Sequence, residues 1–228
     1  CNDSNICTTD SCDPAVGCVN APVGDGKACD MWVTNGPVFA TALSGNTLYI
    51  GGDFTRVSPA TGGGVPFAGV TGMPARGFPK VGGFVFAVEP DGSGGWYIGG
   101  RFNSVGGEAR SGLAHILADG SVSPWAPNAW YYEQPLRYSA NVNALALSGG
   151  TVYVGGAFNS IGGQARNGVA ALDATTGLAT AWDPNAWDPF SNGVGTVKAL
   201  SVANGTVYAA GEFASIGGQE RNGFAALD

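Results

Sequence analysis

At 228 residues the chain is long enough to bury a substantial core, and its 39 glycines, 13 prolines and few charges favour many short strands over helices. A formal charge of −7, with ten Lys and Arg scattered along the chain, excludes the clustered cations that nucleic-acid binding needs. No run of about 18 apolar residues is present, which excludes a helical membrane span.

The chain opens on a cysteine-dense segment. All five cysteines, Cys1, Cys7, Cys12, Cys18 and Cys29, lie in the first 29 residues. Dense cysteine in a short polar stretch without a core of its own reads as a disulfide framework over residues 1–30, and disulfides require an oxidising compartment. Zinc is disfavoured, because the spacings are too wide and no histidine is near. Asp3, Asn5, Asp10 and Asp13 form a candidate calcium site among the cysteines; otherwise no cofactor is expected. The alternative makes them solvated turn and cap residues, since the EF-hand pattern is not met. Five cysteines cannot all pair internally. Either Cys1 is a lipid-anchored first residue and the other four pair, or one cysteine bonds beyond the segment. The opening CNDSNICTTD has neither the basic end nor the apolar stretch of a signal peptide, so a secreted or cell-surface chain with its export signal removed is expected.

From residue 31 onward the sequence repeats. Four segments align: VFATALSGNTLYIGGDF (38–54), FVFAVEPDGSGGWYIGGRF (84–102), VNALALSGGTVYVGGAF (142–158) and VKALSVANGTVYAAGEF (197–213). Their last residues, Phe54, Phe102, Phe158 and Phe213, stand 48, 56 and 55 residues apart. Each segment predicts a short alternating strand, a tight turn such as Ser-Gly or Asn-Gly and a β-rich second strand. A Gly-Gly pair follows in three of them (Gly106–Gly107, Gly162–Gly163, Gly217–Gly218), then a third strand such as NGVAALD. A turn and a fourth strand ending at Trp125 or Trp182 complete repeats two and three.

Four strands in about 50 residues cannot bury both faces alone and must stack on neighbours, the logic of a propeller blade or a β-solenoid coil. The expectation is an all-β, β-propeller-type fold over residues 31–228, with about four blades of four antiparallel strands at 38–83, 84–140, 141–194 and 195–228. The last repeat stops after its third strand, at Asp228. The strand in MWVTNGPV, with Trp32, Asn35 and Val38 placed like Trp182, Asn185 and Val197, is one way to close it. Further blades, or a strand from another molecule, are the others.

The stretches WVTNGPV, PDGSGGWYIGGRFNSVGG, LAHILADGSV, TVYVGGAFNSIGGQARNGVAALDATTGLATAWDPNA and TVYAAGEFASIGGQERNGFAALD resemble the delta-sixty family of propeller-like repeats of large secreted bacterial proteins. Repeat one departs from that pattern, because VSPATGGGVPFAGVTG lacks the Arg-x-Gly step of Arg110, Arg166 and Arg221. The segment CNDSNICTTDSCDPAVGC is similar to a short extracellular repeat, Cys-x5-Cys-Thr-x-Asp-x-Cys-Asp-Pro-x2-Gly-Cys, of slime-mould and bacterial surface proteins. That resemblance takes Cys1 into the repeat and leaves Cys29 as the cysteine unpaired internally. Both resemblances imply large modular extracellular proteins, and neither implies a catalytic residue.

WAPNAW (125–130) and WDPNAW (182–187) are each followed by a loop longer than a turn needs, and the first continues into Tyr131, Tyr132 and Glu133. Trp125, Trp130, Tyr131, Tyr132, Trp182 and Trp187 are the candidate ligand surface, since sugar faces stack on aromatic rings. The competing reading packs Trp125 and Trp182 between blades and sets Trp130 and Trp187 over the loop base. Arg110, Arg166 and Arg221 are expected as blade-to-blade ties to carbonyls or to Asp173 and its equivalents. His115, the single histidine, stands in a strand where the later repeats have alanine, and no nucleophile–base–acid set accompanies it. The expected function is therefore non-catalytic: an extracellular structural or adhesive repeat protein that associates with itself or with neighbouring modules, as in a fibre. A glycan-binding propeller using the aromatic loops is the alternative.

Overall fold

The computed structural model describes residues 8–13, 17–22, 32–34, 37–44, 47–53, 55, 57–59, 79–133 and 135–228. The chain divides into two compact parts, Cys1–Thr61 and Gly62–Asp228. Among the described residues every regular element is a β-strand, and every pairing is antiparallel.

In the first part, β1 (Thr8–Asp13) pairs with β2 (Gly17–Pro22), in a register that sets Cys12 opposite Cys18. Asp10 and Asp13 thus lie in a strand, whereas Cys1, Asp3, Asn5, Cys7 and Cys29 lie outside the described residues. β3 (Trp32–Thr34) takes β6 (Val57–Pro59) as its partner. β4 (Val38–Ser44) and β5 (Thr47–Gly52) form the hairpin expected of repeat one, with a register shift between Val38 and Ala40.

The second part carries repeats two to four. Repeat two holds β7 (Val81–Pro90), β8 (Trp96–Val105), β9 (Glu108–Ala109) and β10 (Leu113–Ile116) and leads into the hairpin of β11 (Trp130–Glu133) and β12 (Leu136–Ser139). Repeat three holds β13 (Asn141–Ser148), β14 (Thr151–Ala157), β15 (Ser160–Ile161), β16 (Gln164–Ala165) and β17 (Val169–Asp173). Repeat four holds β18 (Thr196–Ala203), β19 (Thr206–Glu212), β20 (Ser215–Ile216), β21 (Gln219–Glu220) and β22 (Phe224–Leu227). The three main sheets run β7-β8-β10, β13-β14-β17 and β18-β19-β22.

Two features differ from the expected four strands. The fourth strand is reduced to single bridges, Ile116↔Val122 and Leu172↔Ala179, because the chain turns away within two to three residues toward Trp125 and Trp182. The Gly-Gly pairs are turns in their own right. At Gly162–Gly163, φ is 58° and 78°, the all-positive geometry of a primed two-residue turn, and it closes the small β15–β16 hairpin. The same geometry closes β18–β19 at Asn204–Gly205, where φ is 52° and 81°. Such turns match the right-handed twist of the strands they join, and residues other than Gly and Asn rarely enter them.

The sheets stack face to face, β13 against β7 and β8, and β18 against β13 and β14. The close approach is built on glycine. A Cβ at Gly99 would stand 2.6 Å from Val142 Cγ1, and one at Gly155 would stand 2.6 Å from Val197 Cγ1. The core is therefore shared between repeats: Tyr97, Leu113 and Trp125 of repeat two pack with Val142, Val154, Phe158 and Leu172 of repeat three. Val169 and Ala186 of repeat three pack with Val197, Val207, Phe213 and Leu227 of repeat four. The anchoring residues Phe102, Phe158 and Phe213 are all buried, each worth about 1.5–3 kcal/mol.

Candidate functional site

The two WxPNAW stretches are straps between successive repeats. Trp125 Nε1 donates to Asp173 O (3.2 Å), and Trp182 Nε1 donates to Asp228 O (2.9 Å), the same position one repeat on. Pro127 O accepts from Gly162 N (2.9 Å), and Pro184 O accepts from Gly217 N (2.6 Å). Between them Asn128 and Asn185 take positive φ, 45° and 51°, a conformation asparagine tolerates better than other side chains. Asn128 Oδ1 then accepts from Ser111 N, which locks the loop back onto its own repeat. Trp125 is 3% exposed and rests edge-on against Tyr97, so it belongs to the packing and not to a ligand surface. Trp182 makes the same edge-on contact with Tyr153 but is only half-buried.

The arginines act differently from expectation. Arg110 donates to Ala109 O and Ser123 O, and Arg166 to Ala165 O and Thr180 O, all within one repeat. Each guanidinium stitches the entry of the third strand to the segment that replaces the fourth. Arg166 also reaches Asp183 (3.4 Å), not Asp173. Asp173 is occupied instead by Thr176 and Thr175, whose N–H and hydroxyl groups hold its carboxyl below the ordinary value. Arg221 donates to Glu220 O and is exposed.

His115 is engaged in a buried cluster at the junction of repeats two and three. Its Nε2 lies 3.0 Å from Asp91 Oδ2, and its ring stacks on Tyr97 at 4.2 Å. Burial would raise the Asp91 pKa, but hydrogen bonds from His115, Ser93 and Gly95 outweigh it and hold the carboxyl well below the usual range. Asp91 is therefore an acceptor only, and His115 is the donor. Tyr97 OH donates across the junction to Ala174 O (3.0 Å), and burial, then the charges of Asp91 and Asp173, push its pKa up.

Two clefts remain. One, of about 470 Å³, is lined by Arg101, Tyr131, Tyr138, Ser139, Ala140, Asn141 and Ala157. It lies beside the β11–β12 hairpin, whose register sets Tyr131 opposite Tyr138 and so turns both rings to one face. The other face carries Arg137 over the Trp130 ring at 4.0 Å. Asn159 anchors the hairpin by exchanging hydrogen bonds with the backbone of Tyr132. The second cleft, of about 460 Å³, lies in repeat four between Trp182–Pro184 and Arg221, Ala226 and Leu227. In repeat three the equivalent space beside Gly162 and Leu172 is filled by Gly177–Ala179.

Residues 89–122, from the end of β7 to the bridged Val122, match a family described as a domain of unknown function, DUF5122, β-propeller. Repeat two is a propeller-type repeat. No curated protein matches the chain. Among solved structures it is similar to the computationally designed Ika4 protein, at 16% identity over 85% of this chain and 93% of that one, with a TM-score of 0.43. It is also similar to the computationally designed Ika8 protein, at 16% identity over 80% of this chain and 60% of that one, with a TM-score of 0.35.

Of the six aromatic residues singled out from the sequence, the hairpin cleft takes only Tyr131 and the second cleft takes Trp182; Trp125 is buried, Tyr132 and Trp187 are exposed, and Trp130 lies under Arg137. The blade contributes Arg101 and the hairpin contributes Tyr138, both missed. A signal for Arg101 existed. The residue before each anchoring phenylalanine is Asp53, Arg101, Ala157 or Glu212, a position that changes from repeat to repeat while its neighbours do not.

Proposed function

We propose that this chain is a non-catalytic structural and adhesive module of a large extracellular protein of the delta-sixty type. Its stacked repeats form a rigid body, its cysteine segment serves as a connector, and it associates with itself or with neighbouring modules. The observation that supports this reading is the core shared between successive repeats, in which the recurring residues are spent on packing one repeat against the next. A non-catalytic role is supported by His115, whose ring is enclosed by Asp91, Tyr97 and Trp125 instead of facing a cleft.

The test is negative-stain imaging of the purified chain at physiological salt. Fibres or rings are expected at high concentration. Monomers alone overturn the reading.

A second reading, glycan binding, is favoured by the tyrosine-lined cleft at the β11–β12 hairpin, because insertions peculiar to one repeat commonly carry the binding face of a repeat protein.

A further inference from the structure

The cleft at the β11–β12 hairpin carries more than a general affinity for sugars. We propose that it binds an acidic saccharide, with the apolar face of a uronate ring on Tyr138 and Tyr131 and the carboxylate on Arg101; this deepens the glycan reading above and rests on it. The volume of about 470 Å³ falls in the range of small-ligand sites. Tyr138 is 46% exposed and shares its face with Tyr131, so the two rings form a platform rooted in a hairpin instead of a core contact.

The charge at Arg101 separates this cleft from a neutral sugar site. In repeat four the same position is Glu212, and it is paired with Lys198. Arg101 has no carboxylate partner among the described residues; its guanidinium lies 5.4 Å from the centre of the Phe84 ring. An arginine laid over an aromatic face keeps its N–H fork free for a bidentate carboxylate. Asn141, Tyr131 and Tyr138 also line the cleft, and their side chains have no hydrogen-bond partner among the described residues. They supply the donors and acceptors that sugar hydroxyls require. The net charge of −7 opposes long-range attraction of an anion, so discrimination must arise from contact at Arg101.

The experiment is isothermal titration of the full chain with tetragalacturonate and with its methyl ester, two probes that share the ring and differ in charge. The acid form is expected to bind at least tenfold more tightly. Arg101→Gln levels the two, and Tyr138→Ala removes binding of both. Equal affinity of the parent chain for acid and ester overturns the carboxylate role of Arg101 and leaves the glycan reading standing. No binding of either probe overturns both. The parent comparison needs no variant to fold, and because both substituted side chains are exposed, each variant is expected to keep the near-ultraviolet dichroism of the parent.

Discussion

Blades two and three leave their WxPNAW straps in the same way and then diverge. After Trp130 the chain forms a hairpin, β11–β12, braced by Arg137 and Asn159 and flanked by a cleft. After Trp187 it forms an irregular loop that exposes Phe190. The strap itself is alike in both, down to the Trp Nε1 hydrogen bond and the proline carbonyl that receives a glycine N–H of the next blade. What recurs carries most of the packing of one repeat on the next, and the hairpin adds to that junction only the bonds of Tyr132 with Asn159.

The largest effect that sharpens this contrast is expected at Trp125. Trp125→Ala removes a buried ring and a junction hydrogen bond and should cost about 3–5 kcal/mol in denaturant unfolding. Trp182→Ala, at a half-exposed site, should cost roughly half of that. If the two costs were reversed, the ranking of the junctions by burial would be wrong.

Next is Gly155→Ala, whose methyl group would meet Val197; overpacking of this kind costs about 1–3 kcal/mol. The equivalent position in the last blade is already Ala210, so Ala210→Gly should cost no more than about 1 kcal/mol, a backbone effect alone. Thermal midpoints of the two variants provide the comparison.

Asp91→Asn is expected to cost about 1–3 kcal/mol at pH 7, through weakened hydrogen bonds to His115, Ser93 and Gly95. The folded pKa of Asp91 is depressed, so its stabilisation is complete above the unfolded value near 4 and is lost as pH falls through the folded value. The gap between parent and Asp91→Asn should therefore narrow as pH falls from about 4 to 2, read from urea midpoints across that range. A gap that widened in acid would reverse the sign assigned to Asp91. The smallest stability change belongs to Tyr138→Ala, within about 0.5 kcal/mol, since the ring is exposed on the hairpin.

Much of this architecture is legible in the residues. Aligned hairpins, the tight-turn glycines and the anchoring phenylalanines follow from periodicity and turn chemistry, and all are in place in blades two to four. The Gly-Gly hairpins carried a readable signal too, two glycines between Ser-Ile and Gln, because both central residues of a primed turn need positive φ. The arginines were not legible. A guanidinium with five donors satisfies the same sequence spacing whether its acceptors lie within a blade or across a junction, and only the fold decides that Ser123 and Thr180 are near. The fourth strand was overread, since the tryptophan that marks it lies beyond the single bridge at Val122 or Ala179. The cleft escaped because repetition drew attention to the tryptophans, whereas Arg101 and Tyr138 stand where the repeats disagree.

The central claim is that repeated residues carry most of what holds successive repeats together and that the single hairpin adds little. A chimera in which the loop Trp187–Val194 replaces Trp130–Ser139 tests it through one measurement, the free energy of unfolding in denaturant. A loss of about 1–3 kcal/mol is expected, the worth of the two hydrogen bonds that Asn159 exchanges with Tyr132. A loss as large as the upper value for Trp125→Ala would contradict the claim, because the hairpin would then carry as much of the junction as the repeated tryptophan.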